Sequence, residues 1–348
     1  MKKNISLIFT AVMLLFVLTL SGCDTIMNTL QEHVARQDTT APTSSILDDL
    51  ISNKHHVTFV FNNGNFSKSV LVENGKTVST PADPQKTNYL FCGWYTDNTF
   101  TTKYDFSKPV TKNLTLYAKY EIDAITLTNT ISTDTIKGIV KIYNKSYNTF
   151  LGFETSSTTS QGSGFCFKIQ NGCYYILTNC HVAKKNADYD KQEFTIEDYQ
   201  GHTYKGYLYK NPNKTVTAIS ASYDLACLYF KPESTNVKTL PCASSNPSIG
   251  TDIISVGAPK NQSNSITYGE IAGYGTVTLN DTSTSMSNVT FDVIGHTAYA
   301  NNGSSGGPVL NADLQVVGVN YAVSKSSNAT FAIPVEKVYE FLSQYVYN

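Results

Sequence analysis

Two kinds of hydrophobic pattern divide the chain. Behind Lys2 and Lys3, the residues from Ile5 to Leu20 are almost wholly apolar. That is the arrangement of a targeting segment rather than of a folded element. No later apolar run is long enough to cross a bilayer. From Val57 onward the apolar residues instead come in short runs bounded by turn signals, the pattern of β-strands. Val57-Thr58-Phe59-Val60-Phe61 ends at Asn63-Gly64, and Ser69-Val70-Leu71-Val72 ends at Asn74-Gly75. Pro81 and Pro84 mark a loop, and strands are predicted again at Tyr89 to Tyr95 and Leu114 to Tyr120. A second, longer series includes Gly138 to Tyr143, Gly164 to Ile169 and Tyr174 to Thr178. Such a series suits an antiparallel barrel or sandwich. Near the end, Val335, Val338, Leu342 and Tyr345 stand at helical spacing behind Pro334, which fits a first helical turn. The expected fold is therefore mainly β with a C-terminal helix. Its segments are a leader (1–22), a Thr/Ser/Asp/Gln-rich tether (23–55), a small β module (56–121) and a larger β domain (125–348).

Composition narrows the function classes. A chain of 348 residues is too long for one average domain, and 41% hydrophobic residues suffice for a sizeable core. Lys+Arg 26 against Asp+Glu 27 leave a net charge of −1 and no basic stripe, so nucleic acid is not an expected partner. Beyond Cys23 the cysteines are Cys92, Cys166, Cys173, Cys180, Cys227 and Cys242. Outside the cytoplasm they could pair, but their apolar strand contexts fit buried thiols equally well. None has CxxC spacing, and neither a metal nor another cofactor is assigned.

Leu20-Ser21-Gly22-Cys23 resembles the bacterial lipobox, a branched residue and two small ones before a cysteine. The resemblance implies cleavage before Cys23 and a diacylglycerol on its sulfur. The protein would then be held on the extracytoplasmic face of the cell membrane, with the following tether as a spacer. A plain signal peptide or membrane anchor is the alternative. In the module, V-T-F-x-F, N-G, P-x-x-P, Y-x-F-x-G-W-Y and L-T-L-Y-A-K-Y resemble the internalin-type B repeat. That implies a small β-grasp-like unit serving as a spacer or in contact with the cell surface or wall. Trp94 and the tyrosines are expected in its core.

The chemistry is concentrated in the larger domain. Asn302-Gly303-Ser304-Ser305-Gly306-Gly307-Pro308 places a serine among glycines. A serine hydroxyl needs a base to remove its proton, and the oxyanion it generates needs fixed N–H donors. Glycines let the chain turn tightly enough to aim those donors inward. Leu177-Thr178-Asn179-Cys180-His181-Val182 supplies a histidine after an apolar strand, and Ser222-Tyr223-Asp224-Leu225-Ala226 supplies an aspartate opening another. With Gly162-Ser163-Gly164-Phe165, Val317-Gly318-Val319-Asn320 and Phe331-Ala332-Ile333-Pro334, these motifs resemble chymotrypsin-like serine proteases of the HtrA/Deg type. The order His, Asp, Ser is that of the class.

The resemblance implies two six-stranded barrels with the site between them. It makes Ser305 the nucleophile, His181 the base and Asp224 its orienting partner. The N–H groups of Gly303 and Ser305 would form the oxyanion hole, and Val319, Asn320 and Tyr321 would belong to the strand that pairs with substrate. Tyr299, six residues before the serine, would wall the specificity pocket, favouring a neutral over a basic side chain. Ser304 departs from the Asp or Asn usual before the nucleophile, and Cys180 from the small or polar residue usual beside the histidine. His296 is a candidate to line the cleft. The expected function is a serine endopeptidase on protein or peptide substrates, active where the base is unprotonated. The alternative is a catalytically inactive protease-fold adhesin or binding protein.

Overall fold

The computed structural model describes residues 53–257, 265–277, 288–300, 303–323 and 329–347. The leader, Cys23, the tether up to residue 52 and Asn302 lie outside the described residues. The chain forms two compact units, 1–121 and 122–348.

In the first unit, β1 (Lys54–Val60), β2 (Lys68–Glu73), β3 (Tyr89–Tyr95) and β4 (Leu114–Ile122) form one sheet in the order β2-β1-β4-β3. β1 runs antiparallel to β2 and parallel to β4. No helix packs on this sheet among the described residues, so the grasp is made by loops. Val78 and Val110 from those loops close the core over Val57, Leu116 and Trp94. Phe59, Phe61 and Phe91 surround Trp94 edge-on with ring centroids 4.9, 5.6 and 5.7 Å away, so the indole is a packing centre rather than a surface platform.

The second unit opens with α1 (Ala124–Thr133), capped by Asp123, whose Oδ1 accepts the Thr126 N–H at 3.0 Å. The strands that follow are β5 (Ile139–Phe150), β6 (Phe153–Gln170), β7 (Cys173–Thr178), β8 (Lys191–Glu197), β9 (Thr203–Leu208), β10 (Ile219–Ser220) and β11 (Leu225–Phe230). Their sheet closes on itself through the β9–β11 pairing, with β10 beside β11. The second barrel is closed in the order β12-β13-β14-β17-β16-β15. Its strands are β12 (Asp252–Gly257), β13 (Ser265–Gly275), β14 (Val293–His296), β15 (Pro308–Asn311), β16 (Val316–Val323) and β17 (Thr330–Pro334). α3 (Val335–Tyr345) follows, and a single helical turn, α2 (Cys180–Ala183), interrupts the first barrel.

Strand alternation sends side chains in two directions. Ile142, Cys166, Ile176 and Leu228 fill the first barrel, while Ile253, Ile294, Val317 and Ala332 fill the second. The intervening positions, among them Phe165, Leu177, Ile254 and Ile333, meet between the barrels, where Leu127 and Ile131 of α1 and Val338, Phe341 and Leu342 of α3 join them. This shared core fixes one barrel against the other and so sets the geometry of anything built at their junction. All six cysteines of the described residues are unbridged thiols.

Candidate active site

β7 ends at Thr178, and α2 begins two residues later, which brings His181 out of the barrel wall with a partly exposed ring. Asp224 faces it from the turn before β11, wholly buried and at φ +46°. A non-glycine residue at positive φ is strained, and aspartate tolerates it better than most. Both carboxylate oxygens are engaged by one residue: Oδ1 accepts the His181 backbone N–H at 3.0 Å, and Oδ2 meets Nδ1 at 2.7 Å. Asn179 steadies the turn, its Nδ2 donating to the Asp224 carbonyl at 3.0 Å. A carboxylate is acceptor-only, so Nδ1 carries the proton and Nε2 presents a lone pair.

The serine loop is held from both barrels. On the first-barrel side, the Ser163 hydroxyl donates to the Gly303 carbonyl at 2.6 Å, and the Ser163 N–H donates to the Ser305 carbonyl at 2.8 Å. The Thr178 hydroxyl in turn donates to the Ser163 carbonyl at 2.7 Å. On the second-barrel side, the Gly306 N–H donates to the Asn320 carbonyl at 2.9 Å and the Asn320 N–H to the Gly307 carbonyl at 2.8 Å. Gly306 lies at φ +84°, and a Cβ there would stand 2.2 Å from the Ser163 carbonyl oxygen. Only glycine permits this approach. A Cβ on Gly162 would meet Val182 at 2.6 Å and the Ser305 carbonyl oxygen at 3.2 Å. The backbone of Ser305 therefore packs close to the residue that follows His181. The N–H groups of Gly303 and Ser305 donate no loop hydrogen bond among the described residues. The arrangement offers an imidazole held by a buried carboxylate and, beside it, a serine loop bonded to both barrels.

Neighbouring groups are chemically quiet. Burial, reinforced by the Asp224 charge, pushes the Cys180 thiol up to about 12, so it stays protonated at neutral pH and does not rival the serine. Ser304 is buried and tucked against Gly257, where a Cβ would come 2.6 Å from its Oγ, so the small side chain suits a tight site. His202 also faces an aspartate, with Nδ1 3.2 Å from Asp198 Oδ2, but on a surface turn with a largely exposed ring.

The predicted substrate residues need correction. Val319 and Asn320 are buried. Val319 is paired on one side with Pro308 and on the other with Ile333, and the Asn320 backbone groups are bonded to the serine loop. Neither residue has an edge left for a peptide. Beyond Asn320, β16 pairs with β17 through Ala322↔Phe331 and Val323↔Thr330. The Tyr299 side chain, expected to wall the specificity pocket, is 59% exposed, and its carbonyl accepts from the Thr267 hydroxyl at 2.6 Å. His296 is buried at the end of β14, and burial depresses it to about 4. It points away from solvent rather than lining an open cleft. Sequence reasoning assigned no role to Ser163, Thr178 or Asn179. Their places beside G-S-G-F and T-N-x-H were the only signal.

Residues 162–319 match the trypsin-like peptidase domain family, and residues 55–119 match the Listeria-Bacteroides repeat domain. The serine protease Do-like HtrB of Bacillus subtilis is 32% identical over 224 residues, which cover 62% of this chain and 45% of that protein. Do-like HtrA of the same organism is 29% identical, over 58% of this chain and 44% of the relative. Mouse serine protease HTRA4 is 29% identical, over 54% of this chain and 35% of the relative. The chain thus spans less than half the length of these curated relatives. Among solved structures, the active form of the Rv3671c protease of M. tuberculosis has the same fold, with a TM-score of 0.50 and 20% identity over 65% of this chain and 88% of that one.

Proposed function

We propose that this chain, which carries a trypsin-like peptidase domain related to HtrA-type serine proteases behind a Listeria-Bacteroides repeat, is a lipid-anchored extracytoplasmic serine endopeptidase. Ser305 Oγ attacks the scissile carbonyl carbon as His181 Nε2 takes its proton. The carbonyl oxygen becomes an oxyanion held by the N–H groups of Gly303 and Ser305. The His181 imidazolium, stabilised by Asp224, then protonates the leaving amine, and the acyl group remains on Ser305. A water molecule, deprotonated by the same imidazole, releases the acid and restores the hydroxyl. No metal or other cofactor takes part in any step.

The observation that carries this reading is the double grip of Asp224 on His181, by ring and by backbone, beside a serine loop bonded to both barrels. Substrates are proteins or peptides. Tyr299 favours a neutral side chain before the cleaved bond. The lipobox-like Leu20-Ser21-Gly22-Cys23 supports attachment to the membrane through Cys23, with the internalin-like repeat as spacer or wall contact.

Casein hydrolysis by the wild type, and its loss in His181→Ala and Ser305→Ala, tests the chemistry. Intact casein with a correctly folded wild type would hand the chain to the binding-protein reading. Cys23→Ser tests the anchor: the protein is expected to move from the membrane fraction to the soluble one, and a variant that stays at the membrane contradicts lipid attachment.

A further inference from the structure

β5 and β6 form a hairpin of 12 and 18 residues that outruns its neighbours. β8 covers β5 only from Lys141 to Tyr147, and β7 covers β6 only from Phe165 to Gln170. The last side support is Asn148, whose Nδ2 donates to the Asp188 carbonyl at 3.3 Å and whose Oδ1 accepts the Asp190 N–H at 2.8 Å. Three further residues reach the turn, so the tip stands about 10 Å beyond that support. It carries Phe150, Leu151 and Phe153, exposed by 69%, 82% and 77%.

Two features separate this tip from an ordinary turn. Leu151 and Gly152 lie at φ +50° and +86°, as in a two-residue turn whose central residues are both left-handed. Asn171 and Gly172 make the same kind of turn between β6 and β7, at φ +52° and +72°. Asparagine and glycine suit that geometry, and leucine does not. The β5–β6 hairpin thus holds a large apolar side chain in water in a strained conformation, where the β6–β7 hairpin uses the relaxed solution. Charge is the second feature. Tyr147 to Phe153 carry none, and at the base Glu154 meets the Lys145 ammonium at 2.6 Å, with Glu193 3.8 Å from the same group. The ribbon's edges are protected against strand pairing by Glu154 and by a bulge between Asn148↔Ser156 and Thr149↔Glu154. Only the apolar end is left to interact.

We propose that this tip inserts into the surface of a lipid bilayer. Its three side chains offer about 400 Å² of apolar surface, half of the roughly 800 Å² that each side of a specific protein interface buries. A bilayer demands neither that area nor a complementary shape. The reach of the tip, about 10 Å, matches the depth of about 5–10 Å to which apolar faces sink at the headgroup boundary. The lipid proposed on Cys23 brings a bilayer to the protein, and to that extent the inference rests on the lipid-anchored reading. The tip orients an anchored chain and is too small to hold it alone. Along β6, Phe153 lies ten residues from Ser163, whose N–H donates to the Ser305 carbonyl, so the serine loop stays within about 33 Å of the tip. On the peptidase reading, the polypeptides it cuts lie close to the membrane surface.

The test mixes the full chain carrying Leu151→Trp with phosphatidylcholine vesicles whose acyl chains are plain or brominated. Trp94 is the only other tryptophan, and its signal in the unsubstituted chain is subtracted. The introduced indole is expected to emit at shorter wavelength on vesicles and to lose emission on brominated chains, equally at low and high salt, because no charge drives insertion. Phe150→Ser with Phe153→Ser in the same chain removes both effects. Emission of a water-exposed indole, unquenched in a chain that sediments with the vesicles, overturns the proposal and leaves the anchor reading to its own test by Cys23→Ser. A blue shift that arises without vesicles, grows with protein concentration and resists brominated lipid would assign the tip to a second copy of the chain and overturn it. Quenching that survives the double serine variant would belong to the introduced indole alone and overturn it as well.

Discussion

Asp224 concentrates the chemistry of single residues: a buried carboxylate at positive φ whose two oxygens both serve His181. Asp224→Asn keeps the size but offers an N–H where an acceptor stood, so the imidazole is held in the wrong tautomer. The expected loss is about 10⁴ in kcat, the scale that this change has in the serine-protease template. A loss below about tenfold would remove Asp224 from the mechanism. His296 gives a second residue-scale expectation. Burial depresses its imidazole from 6.5 in the unfolded chain to about 4. Between those values the unfolded state holds more protons, so stability is complete above pH 6.5 and declines as pH falls toward 4, by up to about 3 kcal/mol. Urea midpoints at pH 7 and pH 4.5 should separate in the wild type and converge in His296→Leu. Equal separation in both would clear His296 of the acid sensitivity. The three residues proposed for catalysis were legible because each sits in a short motif whose chemistry depends on residue type. The burial of His296 was not, since nothing in Gly295-His296-Thr297 distinguishes an inward from a cleft-facing ring.

Among the elements, the serine loop is the most constrained. Gly306→Ala places a methyl group 2.2 Å from the Ser163 carbonyl oxygen at a φ of +84°. It is expected to cost more than about 2 kcal/mol and to remove activity, because Ser305 must shift. A fully active, equally stable variant in thermal unfolding and casein assays would refute the stapled loop. The strands were readable from apolar runs, and so was α3, whose Val335, Val338 and Leu342 are all buried as their spacing requires. α1 was not readable. Its sequence Ala-Ile-Thr-Leu-Thr-Asn-Thr-Ile-Ser-Thr is dominated by weak helix formers, and its stability comes from the Asp123 cap and from burying Leu127 and Ile131 in the inter-barrel core. The register at β16 was also hidden. A motif identifies the strand, but only the structure shows that Val319 is paired on both sides and that the Asn320 backbone is bonded to the serine loop.

The whole molecule carries separate cores. The cluster around Trp94 draws only on the first unit, and the three others draw only on the second. Trp94 is the single tryptophan of the chain, so its fluorescence reports the repeat module alone. Leu116→Ala, which should cost about 2–5 kcal/mol in that core, is expected to lower the fluorescence transition and leave the temperature of activity loss in place. A parallel shift of both would show one cooperative unit. The two-unit organisation was visible in the sequence as two series of strand patterns, whereas the packing of both helices between the barrels needed the structure. Whether Ser305 is a nucleophile activated within this fold is tested by fluorophosphonate labelling of the full chain with the modified peptide located by mass spectrometry. One adduct is expected, on Ser305, abolished in Ser305→Ala and strongly slowed in His181→Ala. A folded wild-type protein that takes no label, or takes it elsewhere, would contradict it.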